Sequence, residues 1–157
     1  MIYFLPMGET IATNKKAFRD YAFFDKFEAG IALTGGEVKS IRAGNVNFKD
    51  SFARIDKEEM FLYNLHIDPY AQASHLNDDP QRPRKLLLNK KEILKILGQI
   101  AQKKWILIPT KIYFNNRGFV KVELALGKGK KLYDKREDIK KRDIDRELKR
   151  TIKVRRR

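Results

Sequence analysis

The segment WILIPTKIYFNNRGFVKVELAL, residues 105–126, places the strongest constraint on the fold. From Val120 to Leu126 its apolar side chains alternate with Lys121 and Glu123. This period of two is typical of a β-strand with one buried face and one solvent-facing face. The turn-forming residues NNRG separate this strand from a preceding apolar run. The segment therefore predicts an antiparallel hairpin that covers part of a core.

The aromatic-rich stretch YAFFDKF predicts one strand. Two further segments after it each predict a pair of strands. In EAGIALTGGEVKSIRAGNVNF we expect two strands around a turn at Gly35 and Gly36, with a bulge after it. In SFARIDKEEMFLYNLHI the alternation predicts a second hairpin. Its two faces are Phe61, Tyr63, Leu65 and Ile67 on one side, and Met60 and Leu62 on the other.

Helices are predicted at two places and a long loop at a third. Asn14 is placed to cap a short basic helix that runs to about Arg19. Asn89 and Glu92 have capping-box spacing at the start of NKKEILKILGQIAQKK. The expected buried stripe of that helix is Ile93, Leu97, Ile100 and Ala101, with Ile96 beside it. Residues 68–85 hold three of the five prolines and show no periodicity, which predicts a long loop.

These elements favour a mainly β fold: a small antiparallel OB-like β-barrel of about six strands with flanking helices and a basic C-terminal tail. We expect a flexible N-terminal extension over residues 1–13, the barrel over 14–127 and the tail over 128–157. Barrels of this type bind RNA on a strand face and through loops.

The charge points to a polyanionic partner. The net charge is +15. Residues 128–157 hold fifteen Lys or Arg and six Asp or Glu, a net of +9, which leaves +6 for residues 1–127. Such a balance indicates nucleic acid or an anionic membrane. No apolar run has the length of a membrane span, and the tail lacks the large apolar groups of a membrane-surface helix.

The sequence contains no group of residues that indicates an enzyme active site, a cofactor site or a metal site. It contains no cysteine, which excludes thiolate sites and agrees with a reducing, cytoplasmic setting. His66 and His75 each lack a ligand partner at metal spacing, and GKGKK lacks the spacing of a phosphate-binding loop. The clusters NKKAFR and KSIRAG lie beside turns, where lysine and arginine can contact phosphates or simply aid solubility.

Longer stretches resemble one family. These are NKKAFRDY, FEAGIALTGGEVKSIRAGNVNFKDSFARI, DPQRPRKLLLNKKEI and KIYFNNRGFVKVELALGKGKKLYDKREDIKKR. In order and spacing they are similar to the SsrA-binding proteins (small protein B). The resemblance implies a non-enzymatic protein without cofactor that binds the tRNA-like domain of transfer-messenger RNA. It also implies delivery of that RNA to stalled ribosomes, with the tail in the empty messenger channel. We expect a monomer without a membrane partner.

The resemblance also implies which residues face the RNA: Asn14, Lys15, Lys16, Arg19, Glu28, Lys39, Arg42, Gly44, Lys85 and Leu87. Glu28 is unusual on a surface that meets an anion. Its carboxylate could accept bonds from base amino groups or the 2′-OH, or it could only fix local structure. Leu87 could likewise contact RNA or belong to the core.

The tail carries acid-to-base pairs at i,i+4, namely Glu137–Lys141, Asp138–Arg142 and Asp145–Lys149. Ile144, Leu148 and Ile152 form a narrow apolar stripe that nothing in the barrel requires. We therefore expect a tail that is disordered when free and helical on the ribosome. The predicted ribosome-binding residues are Gly129, Lys130, Lys131, Tyr133, Asp134, Lys135 and Arg136.

Tyr133, the one aromatic residue in the tail, has two interpretations: it stacks on a decoding-centre base, or it folds back onto the barrel. The alternative to an SsrA-binding protein is a non-specific OB-type RNA-binding module. Such a module would need a row of exposed aromatic side chains, and the alternation places most aromatics towards the core.

Overall fold

The computed structural model describes residues 9–70 and 79–155. The strands in these ranges are β1 (Thr10–Thr13), β2 (Tyr21–Ile31), β3 (Val46–Asn47), β4 (Phe52–Asp56), β5 (Glu59–Tyr63), β6 (His66–Ile67), β7 (Arg84–Leu87), β8 (Ile106–Phe114) and β9 (Val120–Gly129). The helices are α1 (Lys15–Asp20), α2 (Gly35–Arg42), α3 (Lys90–Lys103) and α4 (Leu132–Arg155).

Six strands close into a ring in the order β8–β4–β5–β7–β2–β9, because β9 pairs back to β8. All of these pairings are antiparallel. Closure leaves the ring without an unpaired edge, which is how small barrels avoid edge-to-edge association. The OB-like barrel with flanking helices is thereby confirmed.

The core fills the ring with the side chains that alternate inward. The final hairpin is present as β8 and β9, and Val122, Leu124 and Leu126 are fully buried. The hairpin of β4 and β5 is also present, with Met60 and Leu62 fully buried. Asn64 takes a left-handed φ of 61°, which breaks the alternation after β5. Leu65 and Ile67 are therefore buried as well, while Phe61 and Tyr63 are only half-buried.

The hairpin expected around Gly35 and Gly36 is wrong. Those glycines begin α2, and residues 21–31 form one long strand before it. The Thr34 hydroxyl accepts from the Glu37 N–H, and the Glu37 carboxylate accepts from the Thr34 N–H. This reciprocal capping box starts a helix where a Gly-Gly pair alone suggested a turn.

Three other boundaries differ from expectation. Thr10–Thr13 form β1 and pair with β8, so the ordered body begins before residue 14. Strand β7 begins within the predicted loop, at Arg84. Strand β9 continues to Gly129, two residues beyond the expected end of the barrel.

Helix α3 begins after Asn89 as expected, but its buried stripe is narrower than predicted. Ile93 and Ile96 are buried and Ile100 is half-buried, whereas Leu97 is 45% exposed and Ala101 is exposed. The helical period identifies which face turns inward, but the curvature of the barrel determines how wide the contact is.

A bulge in β2 depends on a glycine in β9. Phe23 pairs with Gly127 and Asp25 pairs with Leu126, so Phe24 is the extra residue. A Cβ on Gly127 would lie 2.1 Å from the Ala22 carbonyl oxygen and 2.8 Å from the Phe23 ring. Only glycine allows this close approach of the two strands.

We predict that Gly127→Ala lowers the free energy of unfolding by about 2 kcal/mol or more, because backbone atoms must move. Gly98→Ala is the matched control. Gly98 lies within α3 with open space around its Cβ position, and the same change there should stabilise the protein by about 1 kcal/mol. Urea denaturation measures both changes, and equal effects of the two would contradict the account of the bulge.

Candidate nucleic-acid interface

One end of the barrel, which we call the α2 end, carries six of the ten residues predicted to face RNA. Glu28, Lys85 and Leu87 line one cleft there, together with Lys121 of β9. Lys39 and Arg42 are exposed on α2, and Gly44 follows it at a φ of 83°. Helix α2 and strand β7 therefore present most of the predicted residues.

The remaining four lie on and before α1, near the opposite end of β2. Asn14 caps α1: its Oδ1 accepts from the Ala17 N–H at 3.2 Å, and its Nδ2 donates to the Pro109 carbonyl at 2.9 Å. Lys15, Lys16 and Arg19 are exposed on the helix. Asn14 thus positions the helix, and the three cations are available to a ligand.

A buried ion network joins α2 to β7. The Arg84 side chain is fully buried, and its Nε donates to Glu37 Oε2 at 2.5 Å. Arg84 also donates to the carbonyls of Leu65 at 2.6 Å and Pro80 at 3.0 Å. Arg82 donates to the other oxygen of Glu37. The network therefore fixes α2, β7 and residue 80 against one another.

The pKa of Glu37 reflects this environment. Burial alone would raise the pKa of the Glu37 carboxyl, but hydrogen bonds from Arg82, the Thr34 N–H and Arg84 outweigh burial. The pKa is therefore held below its ordinary 4.5. Glu37 is ionised at neutral pH and gives the buried guanidinium of Arg84 its counter-charge.

Aromatic rings position the cations of α2. The Arg42 guanidinium lies 5.4 Å from the centroid of Phe114, and the Lys39 ammonium lies 5.3 Å from the centroid of Tyr70. Both side chains remain exposed. A cation over a ring face is held weakly, by about 0.5–1 kcal/mol at exposed sites, so it can still meet a phosphate.

Glu28 has a structural partner. The Tyr113 hydroxyl donates to Glu28 Oε2. Burial and the neighbouring Glu28 carboxylate raise the pKa of Tyr113 above its ordinary 10.0, so the hydroxyl stays a donor at neutral pH. The other oxygen of Glu28 makes no hydrogen bond within residues 9–70 and 79–155. Glu28 is thus held in place by β8 and still presents one acceptor to solvent.

Leu87 is a surface residue. Its side chain is 54% exposed and packs over Gly30, where an added Cβ would lie 3.2 Å from Leu87 Cβ. Beside it, Lys85 forms a 3.1 Å ion pair with Glu59, and both side chains are about half exposed. Such a surface pair is worth little, so Lys85 can exchange Glu59 for a phosphate.

The root of the tail is anchored to α1. Gly129 pairs with Tyr21, and the Lys130 N–H donates to the Asp20 carbonyl at 2.8 Å. The Lys130 ammonium contacts the Phe18 carbonyl at 3.4 Å and pairs with Asp138. This bond from Lys130 lowers the pKa of Asp138. Lys130 is therefore engaged by the protein itself.

The other predicted ribosome-binding residues of the tail differ in how exposed they are. Lys135 lies 3.5 Å from Asp20 Oδ1, whereas Lys131 and Arg136 are exposed. The backbone of Tyr133 and Asp134 belongs to α4, but their side chains lie outside the described part of the structure. None of the three i,i+4 acid-to-base pairs closes to within 4.0 Å in α4, and Asp138 pairs with Lys130 instead.

Sequence reasoning missed two contributors to the α2 end. Lys121 is visible as an outward residue in the alternation of β9, but nothing in the sequence indicates which strand lies beside it. Arg84 falls within the predicted loop, and its partner Glu37 lies 47 residues away.

The described residues contain no group of three His, Cys, Asp or Glu that could hold a metal ion. His66 lies in β6 and contacts Asp68 at 2.8 Å. His75 lies outside the described residues. None of the helices in the described ranges is both long and apolar enough to cross a membrane.

Comparison with known proteins shows the family. The family model for the SmpB protein matches residues 11–154, which include the barrel, all ten residues predicted to face RNA and almost all of α4. The chain belongs to the SmpB family. A solved structure described as "tmRNA-SmpB: a journey to the center of the bacterial ribosome" matches with a TM-score of 0.66 and 52% identity. The match covers 77% of this chain and 85% of that one.

Individual relatives carry the name SsrA-binding protein. The one from Thermosipho melanesiensis is 59% identical over 91% of this chain and 97% of its own length. The one from Carboxydothermus hydrogenoformans is 52% identical over 95% of this chain and 99% of its own length. The family resemblance of the sequence motifs is thereby confirmed.

We predict that Glu37→Gln lowers the free energy of unfolding by about 3 kcal/mol near pH 7, because Arg84 is left buried without a counter-charge. Glu37 has a lowered pKa in the folded state, so its contribution is present above about pH 4.5 and is lost as the pH falls through the folded value. The difference between wild type and variant should therefore shrink in acid.

Glu92→Gln is the matched control for this change. Glu92 occupies the same capping-box position in α3, where it accepts from the Asn89 N–H at 3.4 Å without a buried arginine. This variant should be destabilised by about 1 kcal/mol or less. Urea titrations at several pH values measure both, and equal destabilisation of the two would show that Glu37 acts only as a helix cap.

Proposed function

We propose that this protein binds SsrA RNA, the transfer-messenger RNA, through its tRNA-like domain and delivers it to stalled bacterial ribosomes in trans-translation. The observation that carries the proposal is the SmpB match over both the barrel and the tail. Relatives named SsrA-binding protein, and a solved structure that pairs SmpB with tmRNA and the ribosome, support it. The activity belongs in the cytoplasm, where ribosomes translate, and requires only one copy of the chain.

The α2 end supplies the chemistry for structured RNA. Lys39, Arg42 and Lys85 offer exposed cations to phosphates, and Gly44 lets the backbone approach closely. The unbonded oxygen of Glu28 can accept from a 2′-OH or a base amino group, which supports a contact role in addition to its bond with Tyr113. Leu87 offers an exposed apolar surface beside them.

The spacing of the two clusters favours a folded RNA over a short single strand. The α1 cluster, with Lys15, Lys16 and Arg19, directly precedes Tyr21 at the start of β2. Glu28 lies seven residues further along that strand, or roughly 23 Å at 3.3 Å per residue. A ligand that meets both clusters must extend over that distance, and a tRNA-like fold does so.

The tail is proposed to occupy the empty messenger channel and decoding centre. Helix α4 has 24 residues and would be roughly 36 Å long. Its apolar residues Ile144, Leu148 and Ile152 are all more than half exposed. Because the barrel does not cover this stripe, we propose that the helix forms on the ribosome and is disordered in the free protein. Gly129 lies at the root of the tail, and Lys131, Lys135 and Arg136 would hold phosphates beyond it.

We predict that Lys39→Ala combined with Arg42→Ala weakens binding to the isolated tRNA-like domain. Its salt slope should fall by about 0.7–0.9 for each phosphate that the variant no longer neutralises. Lys140→Ala with Lys141→Ala removes the same charge from the tail and should leave both quantities near wild type. Binding isotherms at several salt concentrations measure the effect. An unchanged affinity and slope in the first variant would mean that the α2 end is not the RNA surface.

We predict that truncation after Gly129 preserves the folded barrel and near-native affinity for the tRNA-like domain but abolishes peptide tagging on stalled ribosomes. The reason is that the strands end at Gly129, whereas the proposed ribosomal contacts lie beyond it. An in vitro tagging assay and a melting curve measure the two properties. Wild-type tagging by the truncated protein would contradict the proposed role of the tail.

Within the tail, we propose that Tyr133 stacks on an exposed decoding-centre base, with Asp134 capping the following helix. Tyr133→Phe should keep tagging, and Tyr133→Ala should abolish it at an unchanged melting temperature. A lower melting temperature with Tyr133→Ala would instead identify a hydrophobic latch on the barrel. Identical chemical footprints of the decoding bases with the wild type and with Tyr133→Ala would rule out stacking.

A further inference from the structure

The connection between the barrel and the tail helix is short and follows a glycine. Strand β9 ends at Gly129 and α4 begins at Leu132, so only Lys130 and Lys131 join them. A Cβ on Gly129 would meet no described atom within 4 Å, so close packing does not restrain the chain at that residue. Such a link allows a helix to swivel about its root unless other contacts hold it.

A swivel at the root has a large effect at the far end of the tail. Helix α4 is roughly 36 Å long at 1.5 Å per residue, so a swivel of about 20° moves its last turn by roughly 12 Å. That displacement is about the diameter of a helix with its side chains. A tail that enters a narrow channel therefore needs a fixed direction of exit from the barrel.

Three side-chain contacts hold the first two turns of α4 against α1. The Lys130 ammonium contacts the Phe18 carbonyl at 3.4 Å and pairs with the Asp138 carboxylate. The Lys135 ammonium lies 3.5 Å from Asp20 Oδ1. We call Asp20, Lys130, Lys135 and Asp138 the root clamp. Because Lys130 precedes the helix and Asp138 lies within it, the root clamp spans the two-residue link.

Helix α1 is a firm support for the root clamp because the barrel holds it at both ends. At its start, the Asn14 N–H donates to the Thr110 carbonyl at 2.7 Å and Asn14 Nδ2 donates to the Pro109 carbonyl at 2.9 Å. At its end, the Lys130 N–H donates to the Asp20 carbonyl at 2.8 Å, where β2 begins to pair with β9. The root clamp therefore ties the tail helix to the barrel through α1.

The position of Asp138 indicates a role in the root clamp beyond helix stability. Asp138 is the seventh residue of α4, past the first turn in which a carboxylate stabilises a helix N-terminus. Its helical neighbour Arg142 does not approach within 4.0 Å, whereas Lys130 pairs with it. The hydrogen bond from Lys130 is also the main cause of the lowered pKa of Asp138. The chief partner of Asp138 thus lies outside the helix.

We propose that Asp20 and Asp138 are positioning residues, which act through the root clamp to set the direction in which α4 leaves the barrel. The inference rests on the proposed function for the destination of the tail. Both side chains are negative in a segment that approaches phosphates, which disfavours direct RNA contact and favours action through Lys130 and Lys135. Once the helix forms on the ribosome, α1 fixes its direction relative to the bound tRNA-like domain.

Tagging on stalled ribosomes in vitro tests the role of Asp138. Asp138→Asn keeps the size of the side chain but removes its charge, and should lower the tagging rate about tenfold. Asp138→Glu keeps the charge and should retain most of the tagging. Glu137→Gln is the matched control, because Glu137 lies one residue away and makes no ion pair within residues 9–70 and 79–155. Equal tagging by Asp138→Asn and Glu137→Gln would overturn the inference.

Two further measurements separate the root clamp from the proposed function. The affinity for the isolated tRNA-like domain and the melting temperature should be the same in wild type, Asp138→Asn and Glu137→Gln. A lower affinity in Asp138→Asn would place this residue in the RNA surface and contradict a positioning role. A wild type that neither binds the tRNA-like domain nor tags would overturn the proposed function and the inference together. Wild-type tagging by Asp138→Asn would overturn the inference alone.

Directed cleavage of ribosomal RNA reports the direction of the tail itself. The chain contains no cysteine, and Val154 is 74% exposed near the end of α4, so Val154→Cys gives a single site for an iron chelate. Hydroxyl radicals from the chelate should cleave one compact set of nucleotides, and Glu137→Gln should leave that set unchanged. Asp138→Asn should spread the cleavage over more nucleotides at lower yield. The same compact set in Asp138→Asn would show that the root clamp does not set the direction.

Discussion

The buried ion pair between Glu37 and Arg84 is the interaction on which the proposed RNA surface depends. Arg84 is fully buried, and such a cation is stable only when its counter-charge and its other donors are satisfied. Glu37 supplies the charge, and carbonyls of Leu65, Pro80 and Arg82 accept further bonds. Because Glu37 lies in α2 and Arg84 in β7, the pair fixes the two elements that carry Lys39, Arg42, Lys85 and Leu87.

The barrel holds two regions with different proposed roles apart from each other. The α2 end presents exposed cations held by rings and by a surface ion pair, a suitable arrangement for phosphates. The opposite end carries the root of the tail. When α4 is formed, Lys130 bonds to the Phe18 carbonyl and to Asp138, and these bonds hold the start of the helix against α1. One small closed sheet thereby orients the proposed RNA surface and a projecting helix.

Much of the fold follows from local patterns in the sequence. The alternation from Val120 to Leu126 identifies β9 and its buried face, and Asn89 with Glu92 identifies the start of α3. At the start of α2, the capping-box spacing of Thr34 and Glu37 indicates a helix, whereas the Gly35–Gly36 pair alone indicates a turn. The family motifs identified the exposed residues of the α2 end, since the resemblance is long and specific.

The remaining features depend on contacts between distant residues. No local pattern indicates that Arg84 is buried, because its partner Glu37 lies 47 residues away in α2. The helical period predicts that Leu97 is buried, but Leu97 lines an open, mainly apolar cleft beside α3 and is exposed there. The alternation suggested that aromatics point towards the core, yet the bulge turns Phe24 outward onto Trp105. Asp138 likewise pairs with Lys130 in preference to its helical neighbour Arg142.

Hydrogen exchange of the α2 and β7 amides, with and without the tRNA-like domain, tests most directly whether the Glu37–Arg84 pair organises the RNA surface. In the wild type, RNA should slow exchange in both elements. In Glu37→Gln, the α2 amides should exchange faster in the free protein, and RNA should protect them less. Identical α2 exchange in the two proteins, with full protection by RNA in both, would contradict the account.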